Sequence, residues 1–133
     1  MKRIITALLC AAALGLSGCE ASLSSSGVKS SLEGKGYSVS VYTKTEAEAA
    51  IKGIEYVVNI TDALVATKEQ TDAFIGFFCA NISDAEKFMN ANIAAMVRWA
   101  EDRTDNPKAG FHNNVAYAGS YDAVSAAGIP VNK

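Results

Sequence analysis

One long amphipathic segment constrains the fold of this chain more than any other feature. Its apolar side chains recur at steps of three and four residues, which is typical of an α-helix with one buried face. They are Phe88, Met89, Ile93, Met96, Val97 and Ala100. The run Ser83-Asp84-Ala85-Glu86 fits a capping box at the start, and Asn106-Pro107 provides a stop. We therefore expect a helix over about residues 84–103, which needs a partner layer to cover its apolar stripe.

That partner layer is predicted to be a β-sheet, because several other segments carry strand patterns. Apolar and polar residues alternate over 37–42 and again over 54–60, and the second pattern continues less cleanly to Ala66. The apolar run AFIGFFCA over 73–80 follows a polar segment, Lys68 to Asp72, which predicts a hairpin. Residues 114–118 give a short fourth strand.

Short helices complete the predicted order. One spans about 28–34 and ends near glycines. A second spans about 46–52, with a capping box at Thr45 to Glu48. The last begins at Ser120 and runs to Ala127. The expected fold class is α+β: a four-stranded antiparallel or mixed sheet, with the long helix packed on one face and short helices at the ends.

The amino terminus has the charge pattern of a secretory leader. Lys2 and Arg3 precede an apolar run from Ile4 to Leu16 that contains no charge. A membrane-spanning helix needs about 20 apolar residues, so this run is too short for a span. We expect it to be removed from the mature protein.

The end of this leader, Leu16-Ser17-Gly18-Cys19, resembles the lipobox of bacterial lipoproteins. The resemblance covers roughly the first 20 residues. It implies cleavage between Gly18 and Cys19 and a diacylglyceryl group on the Cys19 sulfur. The resulting organisation is a signal peptide over 1–18, a lipidated cysteine with a flexible tether over 19–27, and a single domain over 28–133.

The same resemblance implies that the domain is tethered at the extracytoplasmic face of a bacterial membrane, by lipid contacts of the acylated Cys19. In a Gram-negative bacterium this is either the cytoplasmic or the outer membrane. Without Lys2 and Arg3 the mature chain has ten basic and fourteen acidic residues, and the basic ones are not clustered. Phosphate backbones are bound by clustered Lys and Arg, so we expect no nucleic-acid partner.

The three cysteines are not expected to form disulfide bonds with one another in the mature protein. Cys10 leaves with the leader, Cys19 carries lipid, and Cys79 stays alone inside an apolar run. We expect Cys79 to be a buried thiol that packs as a small apolar side chain. No cofactor is expected.

The mature sequence contains no nucleophile elbow, phosphate loop, HExxH or CxxC motif. We therefore expect a non-catalytic binding module rather than an enzyme, with an envelope component, protein or peptide as its partner. Binding is expected through an open sheet face or a sheet edge. Trp99, His112 and Tyr117 are the candidate binding residues, and no metal site is expected.

An alternative function uses the single histidine. His112 together with Glu101, Asp102 and Asp105 could form an acid/base or metal site, since imidazole and carboxylates are the usual ligands. That arrangement would make the protein a small envelope enzyme or a metal-dependent protein. A structure that places His112 more than about 10 Å from every carboxylate and from Cys79 would exclude it, because direct catalytic contacts need about 3 Å.

Overall fold

The computed structural model describes residues 22–132 of the chain, and all five strands in this part form one antiparallel sheet. The elements are α1 (Ser25–Gly34), β1 (Ser38–Thr43), α2 (Lys44–Ala50), β2 (Ile60–Lys68), β3 (Asp72–Cys79), α3 (Ile82–Glu101), β4 (Pro107–His112), β5 (Val115–Ser120) and α4 (Tyr121–Ala126). The strand order is β1-β2-β3-β5-β4. The α+β class and the long helix on one face are confirmed. The predictions made for Gly18 and Cys19 lie outside the described residues.

The sheet has five strands instead of the four expected, because the sequence pattern did not indicate β4. Its sequence, PKAGFH, carries only a weak alternation, of Ala109 and Phe111 with Lys108 and His112, interrupted by Gly110. Its pairing with β5 is set by a hairpin turn at Asn113 and Asn114. Asn113 adopts φ 50°, a left-handed conformation that asparagine tolerates in tight turns. Pro107 is the first residue of an edge strand, where its missing N–H is not needed by a neighbour.

The strand expected over 54–60 is wrong, because β2 begins only at Ile60. The alternating side chains Ile54, Tyr56 and Val58 do face the core, but their backbone lies outside the sheet. Tyr56 packs edge-on against two phenylalanine rings at 6.2 and 6.1 Å between centroids. Its hydroxyl donates to the carbonyl of Ala47 at 3.0 Å. Alternating burial alone therefore does not distinguish this packed segment from a strand.

Two helix starts differ from the predicted ones. Helix α2 is capped by Thr43, whose hydroxyl accepts the Glu46 N–H while the Glu46 carboxylate accepts the Thr43 N–H. The predicted capping box at Thr45 has the same spacing but begins two residues after the observed one. Helix α3 is capped by Asn81, whose side chain accepts the Asp84 N–H at 2.8 Å, in place of Ser83.

Other local predictions are confirmed. The polar segment between β2 and β3 forms the expected hairpin, in which Lys68 pairs with Asp72. Ser120 caps α4 through its hydroxyl, which accepts the Ala123 N–H at 3.2 Å. Both the hairpin and the helix cap are determined by residues that are neighbours in the sequence.

Helices cover both faces of the sheet, which corrects the expectation of an open face. Helices α2 and α3 pack on one face around Phe77, Phe88 and Met96. Helices α1 and α4 pack on the other face around Phe74 and Phe78. The expected binding surface on a bare sheet face is therefore absent from the described part of the fold, and β1 and β4 remain as sheet edges. No helix within residues 22–132 combines the length and apolar character that a bilayer crossing requires.

Candidate functional site

The fold has two ends with different chemistry. One end, here called the basal end, comprises Ser22–Ser25, Ala80–Ser83 and His112–Asn114. The opposite end, here called the distal end, comprises Lys68–Asp72 and Ser120–Asp122. Strand β3 runs between them over eight residues, which corresponds to about 23 Å at 3.3 Å per step.

A buried asparagine attaches the incoming chain to the basal end. The Leu23 N–H donates to Asn114 Oδ1 at 2.7 Å, and Asn114 Nδ2 donates to the Leu23 carbonyl at 3.0 Å. The same Nδ2 donates to the Cys79 carbonyl at 3.0 Å. Asn114 is 5% exposed, so these bonds replace hydration that the side chain has lost. Residue 23 is thus fixed to the ends of β3 and β5.

The segment predicted as a tether therefore includes part of the folded domain. Helix α1 begins at Ser25, and Ser24 caps it by accepting the Gly27 N–H at 3.1 Å. The Ser25 hydroxyl donates to the Asp62 carboxylate, and the Leu23 side chain packs against the α1 and α4 core. The fold begins several residues earlier than Val28, where the sequence pattern placed it.

A polar groove lies at the distal end. It has two adjoining lobes of about 300 and 290 Å³, and Asp72 and Asp122 line both. Lys35 and Lys68 border the first lobe, while Asp105 borders the second. We call this surface the distal groove.

Contacts around Asp72 hold the distal groove in shape. Asp72 Oδ1 accepts the Ser120 hydroxyl at 2.8 Å, which links the start of β3 to the cap of α4. Lys68 Nζ donates to the Lys35 carbonyl at 2.9 Å and lies 5.5 Å from the centre of the Tyr37 ring. Burial, followed by the charges of Asp72, Asp122 and Glu69, raises the pKa of Tyr37 to about 12. The negative charges of these carboxylates therefore act on the Tyr37 hydroxyl at the base of the groove.

Of the sequence candidates, Trp99 lies near the distal end of α3 and is half-buried against the α3 side of the core. The Arg103 guanidinium covers its ring at 4.5 Å from the ring centre, and Arg103 Nη1 donates to the Trp99 carbonyl at 3.0 Å. The indole is thus packed on one side and stacked with a cation on the other. A partner would have to displace Arg103 to reach this ring face.

Tyr117 is a core residue at 7% exposure, and burial raises the pKa of its hydroxyl. Its ring lies over Gly110 of the neighbouring strand, where the Cβ of any larger residue would come within 3.2 Å of the hydroxyl oxygen. Gly110 therefore leaves room for the Tyr117 side chain. This position suits packing of the sheet edge better than contact with a partner.

The structure does not bring His112 together with the acids proposed for it. His112 ends β4 at the basal end, whereas Asp105 precedes β4 at the opposite end, and Glu101 closes α3 there. The six residues of β4 span about 17 Å from first to last. His112 also pairs with Val115, so it lies on the α1 and α4 face, while Cys79 belongs to the α3 face.

Cys79 is buried as expected, at 2% exposure. Burial, with a smaller contribution from Asp84, raises the pKa of its thiol to about 11. A thiol with a raised pKa is a poor nucleophile at neutral pH. Within residues 22–132, no three His, Cys, Asp or Glu side chains form a group that could hold a metal ion.

Sequence reasoning missed both buried asparagines and the distal groove. Asn92 lies on the apolar stripe of α3, four residues after Phe88 and four before Met96, and this polar break in the stripe was an available signal. Asn114 carried no such signal, because its partners Leu23 and Cys79 are distant in sequence. Comparison of the chain with protein-family models, curated proteins and solved structures found no match.

Proposed function

We propose that this protein is a lipid-anchored, non-catalytic binding module of the bacterial cell envelope. The observation that carries the proposal is the sequence Leu16-Ser17-Gly18-Cys19 at the end of an uncharged leader. Acylation at Cys19 supplies the membrane attachment, since each buried CH₂ contributes about 0.8 kcal/mol and two or more chains hold stably. The described domain follows after only a few residues.

The distal groove is the binding surface in this proposal. It is concave, its polar groups converge on Asp72 and Asp122, and hydrogen bonds to Ser120 and Lys35 hold its borders. The hydrogen-bonded Asp72 and the exposed Asp122, with Lys35 and Lys68 at the border, suit a partner that presents amines to the carboxylates and hydrogen-bond acceptors to the lysines. Because both sheet faces are covered by helices, the groove replaces the sheet face as the contact surface.

The anchor is tested by palmitate labelling of the full chain in a bacterial host. The Cys19→Ala variant should lose the label completely, because its side chain has no sulfur to modify. The matched Cys10→Ala variant should keep the label, since position 10 lies within the leader. Equal labelling of Cys19→Ala and the unmodified protein would overturn the proposed anchor.

The binding surface is tested with a photo-reactive amino acid placed in turn at two exposed positions, Ser125 in the distal groove and Ile93 on α3. Irradiation of intact cells should give a discrete crosslinked product from position 125 and none from position 93. Products of equal yield from both positions, or from position 93 alone, would contradict the assignment of the distal groove.

A further inference from the structure

The attachment of Leu23 to Asn114 determines which end of the domain can lie near the proposed anchor. Only Glu20 and Ala21 lie between Cys19 and Ser22, and the three steps from Cys19 to Ser22 span at most about 11 Å when fully extended. Leu23 is hydrogen-bonded to the basal end at 2.7 and 3.0 Å, so the chain leaves the fold at that end. A polar headgroup layer is itself about 5–8 Å thick. An anchor at Cys19 therefore keeps the basal end within about one headgroup layer of the bilayer.

We infer that the basal end rests on the lipid headgroups and that the distal groove faces away from the membrane. This inference rests on the proposed lipid anchor. It assigns a second lipid contact, made by the folded domain itself, besides the acyl chains. The distal groove would then stand up to about 23 Å further from the bilayer than the basal end, given the length of β3.

The surface chemistry of the basal end fits lipid headgroups. A shallow cavity of about 380 Å³ opens there, lined by uncharged residues from three segments of the chain: Ser22, Ala80, Asn81, Ile82, Ser83, Asn113 and Asn114. Ile82 is 46% exposed at this cavity, and Phe111 is 38% exposed near the end of β4. Apolar side chains among uncharged polar ones are suited to an interface between water and lipid.

Two charged side chains near this end are engaged within the fold, and Asp84, next to Ser83 in the first turn of α3, is half-buried. Glu86 and Lys87, further along α3, are exposed. Lys44 Nζ donates to Asn59 Oδ1 at 3.0 Å, and the Asp62 carboxylate accepts the hydroxyls of Ser25 and Thr61. The flank formed by α1, in contrast, carries the exposed ion pair of Lys29 and Glu33 at 2.9 Å. Placing that flank on the bilayer would disturb the hydration of two charged groups, which disfavours an orientation with α1 against the lipid.

The orientation is tested on the lipidated full chain in vesicles of phosphatidylethanolamine and phosphatidylglycerol. A fluorophore is attached through Ser83→Cys at the basal end or through Gln70→Cys in the distal hairpin, both of which are exposed. Cys79 stays unlabelled because it is buried. Lipids that carry a quencher in the headgroup should quench the basal fluorophore several-fold more than the distal one. Equal quenching at the two positions, or stronger quenching at position 70, would overturn the inferred orientation.

Two further variants separate the orientation from the anchor. Twelve Gly and Ser residues inserted between Ala21 and Ser22 add about 20 Å of root-mean-square length, so the difference in quenching should largely disappear. Ile82→Glu should reduce quenching at position 83, whereas Ile93→Glu should not, although both isoleucines are 46% exposed. Equal effects of the two glutamates would contradict the contact.

Vesicle flotation reports separately on the proposed function. If the protein does not float with the vesicles, the proposed lipid anchor fails, and the orientation inferred from it fails as well. If the protein floats but position 83 is not preferentially quenched, the anchor stands and the orientation alone is refuted.

Discussion

Replacing Asn92 by alanine should destabilise the domain by about 2.5 kcal/mol. The Glu55 N–H donates to Asn92 Oδ1 at 2.7 Å, and Asn92 Nδ2 donates to the Glu55 carbonyl at 2.8 Å and to the Phe88 carbonyl at 2.9 Å. Each such bond contributes about 1 kcal/mol net, and Asn92 is only 3% exposed. Alanine regains about 0.5 kcal/mol through its higher helix propensity. Two of these bonds connect α3 to the irregular segment that precedes β2, so the substitution should loosen that segment.

Urea unfolding of the domain gives the measurement. At a slope of about 1–3 kcal/mol/M, a loss of about 2.5 kcal/mol lowers the midpoint by about 1–2 M. Asn90→Ala is the matched control, because Asn90 lies two residues earlier in the same helix and is exposed. Its free energy of unfolding should stay within about 0.5 kcal/mol of that of the unmodified domain. If Asn92→Ala and Asn90→Ala unfold at the same urea concentration, the role assigned to Asn92 is refuted.

Three further predictions concern the interior of the domain. The Cys79 thiol, whose pKa is raised to about 11, should resist maleimide at pH 7 until urea unfolds the chain, and rapid labelling of the native protein would contradict its burial. Gly119→Ala should lower the free energy of unfolding by about 1–3 kcal/mol, because a Cβ at position 119 would lie 2.5 Å from the Ala73 carbonyl oxygen. The control Gly34→Ala should not destabilise the domain, because the space around Gly34 is open. Equal unfolding midpoints for the two variants would argue against the clash. The pKa of Tyr37 is about 12 when folded and about 10 when unfolded, so stability should fall as pH rises from 10 to 12. Tyr37→Phe should show a smaller fall in its urea midpoint over that range, and an identical fall would exclude this ionisation as the cause.

Elements whose signals are local could be predicted from the sequence. Helix α3 follows from a stripe of apolar side chains at helical spacing, and it covers Ile82–Glu101 against an expected 84–103. The cap at Ser120 follows from the hydrogen-bonding chemistry of serine next to a short helical run. These features depend on residues within one or two turns of each other.

Features that depend on distant residues could not be predicted. Strand β4 is defined by its pairing with β5, and the segment before β2 is held by Asn92, 37 positions away from Glu55. The distal groove combines Asp72 and Asp122, which only the sheet brings together. The predicted grouping of His112 with Asp105 failed for the converse reason, since the six residues of β4 hold them apart.

The mass of the amino-terminal tryptic peptide, measured on protein isolated from a bacterial membrane, shows whether Cys19 carries lipid. We expect a peptide from Cys19 to Lys29 that carries a diacylglyceryl group on the sulfur, with no leader residues before it. A peptide with a free Cys19 thiol, or a mature terminus at any other residue, would contradict the anchor and the membrane orientation inferred from it.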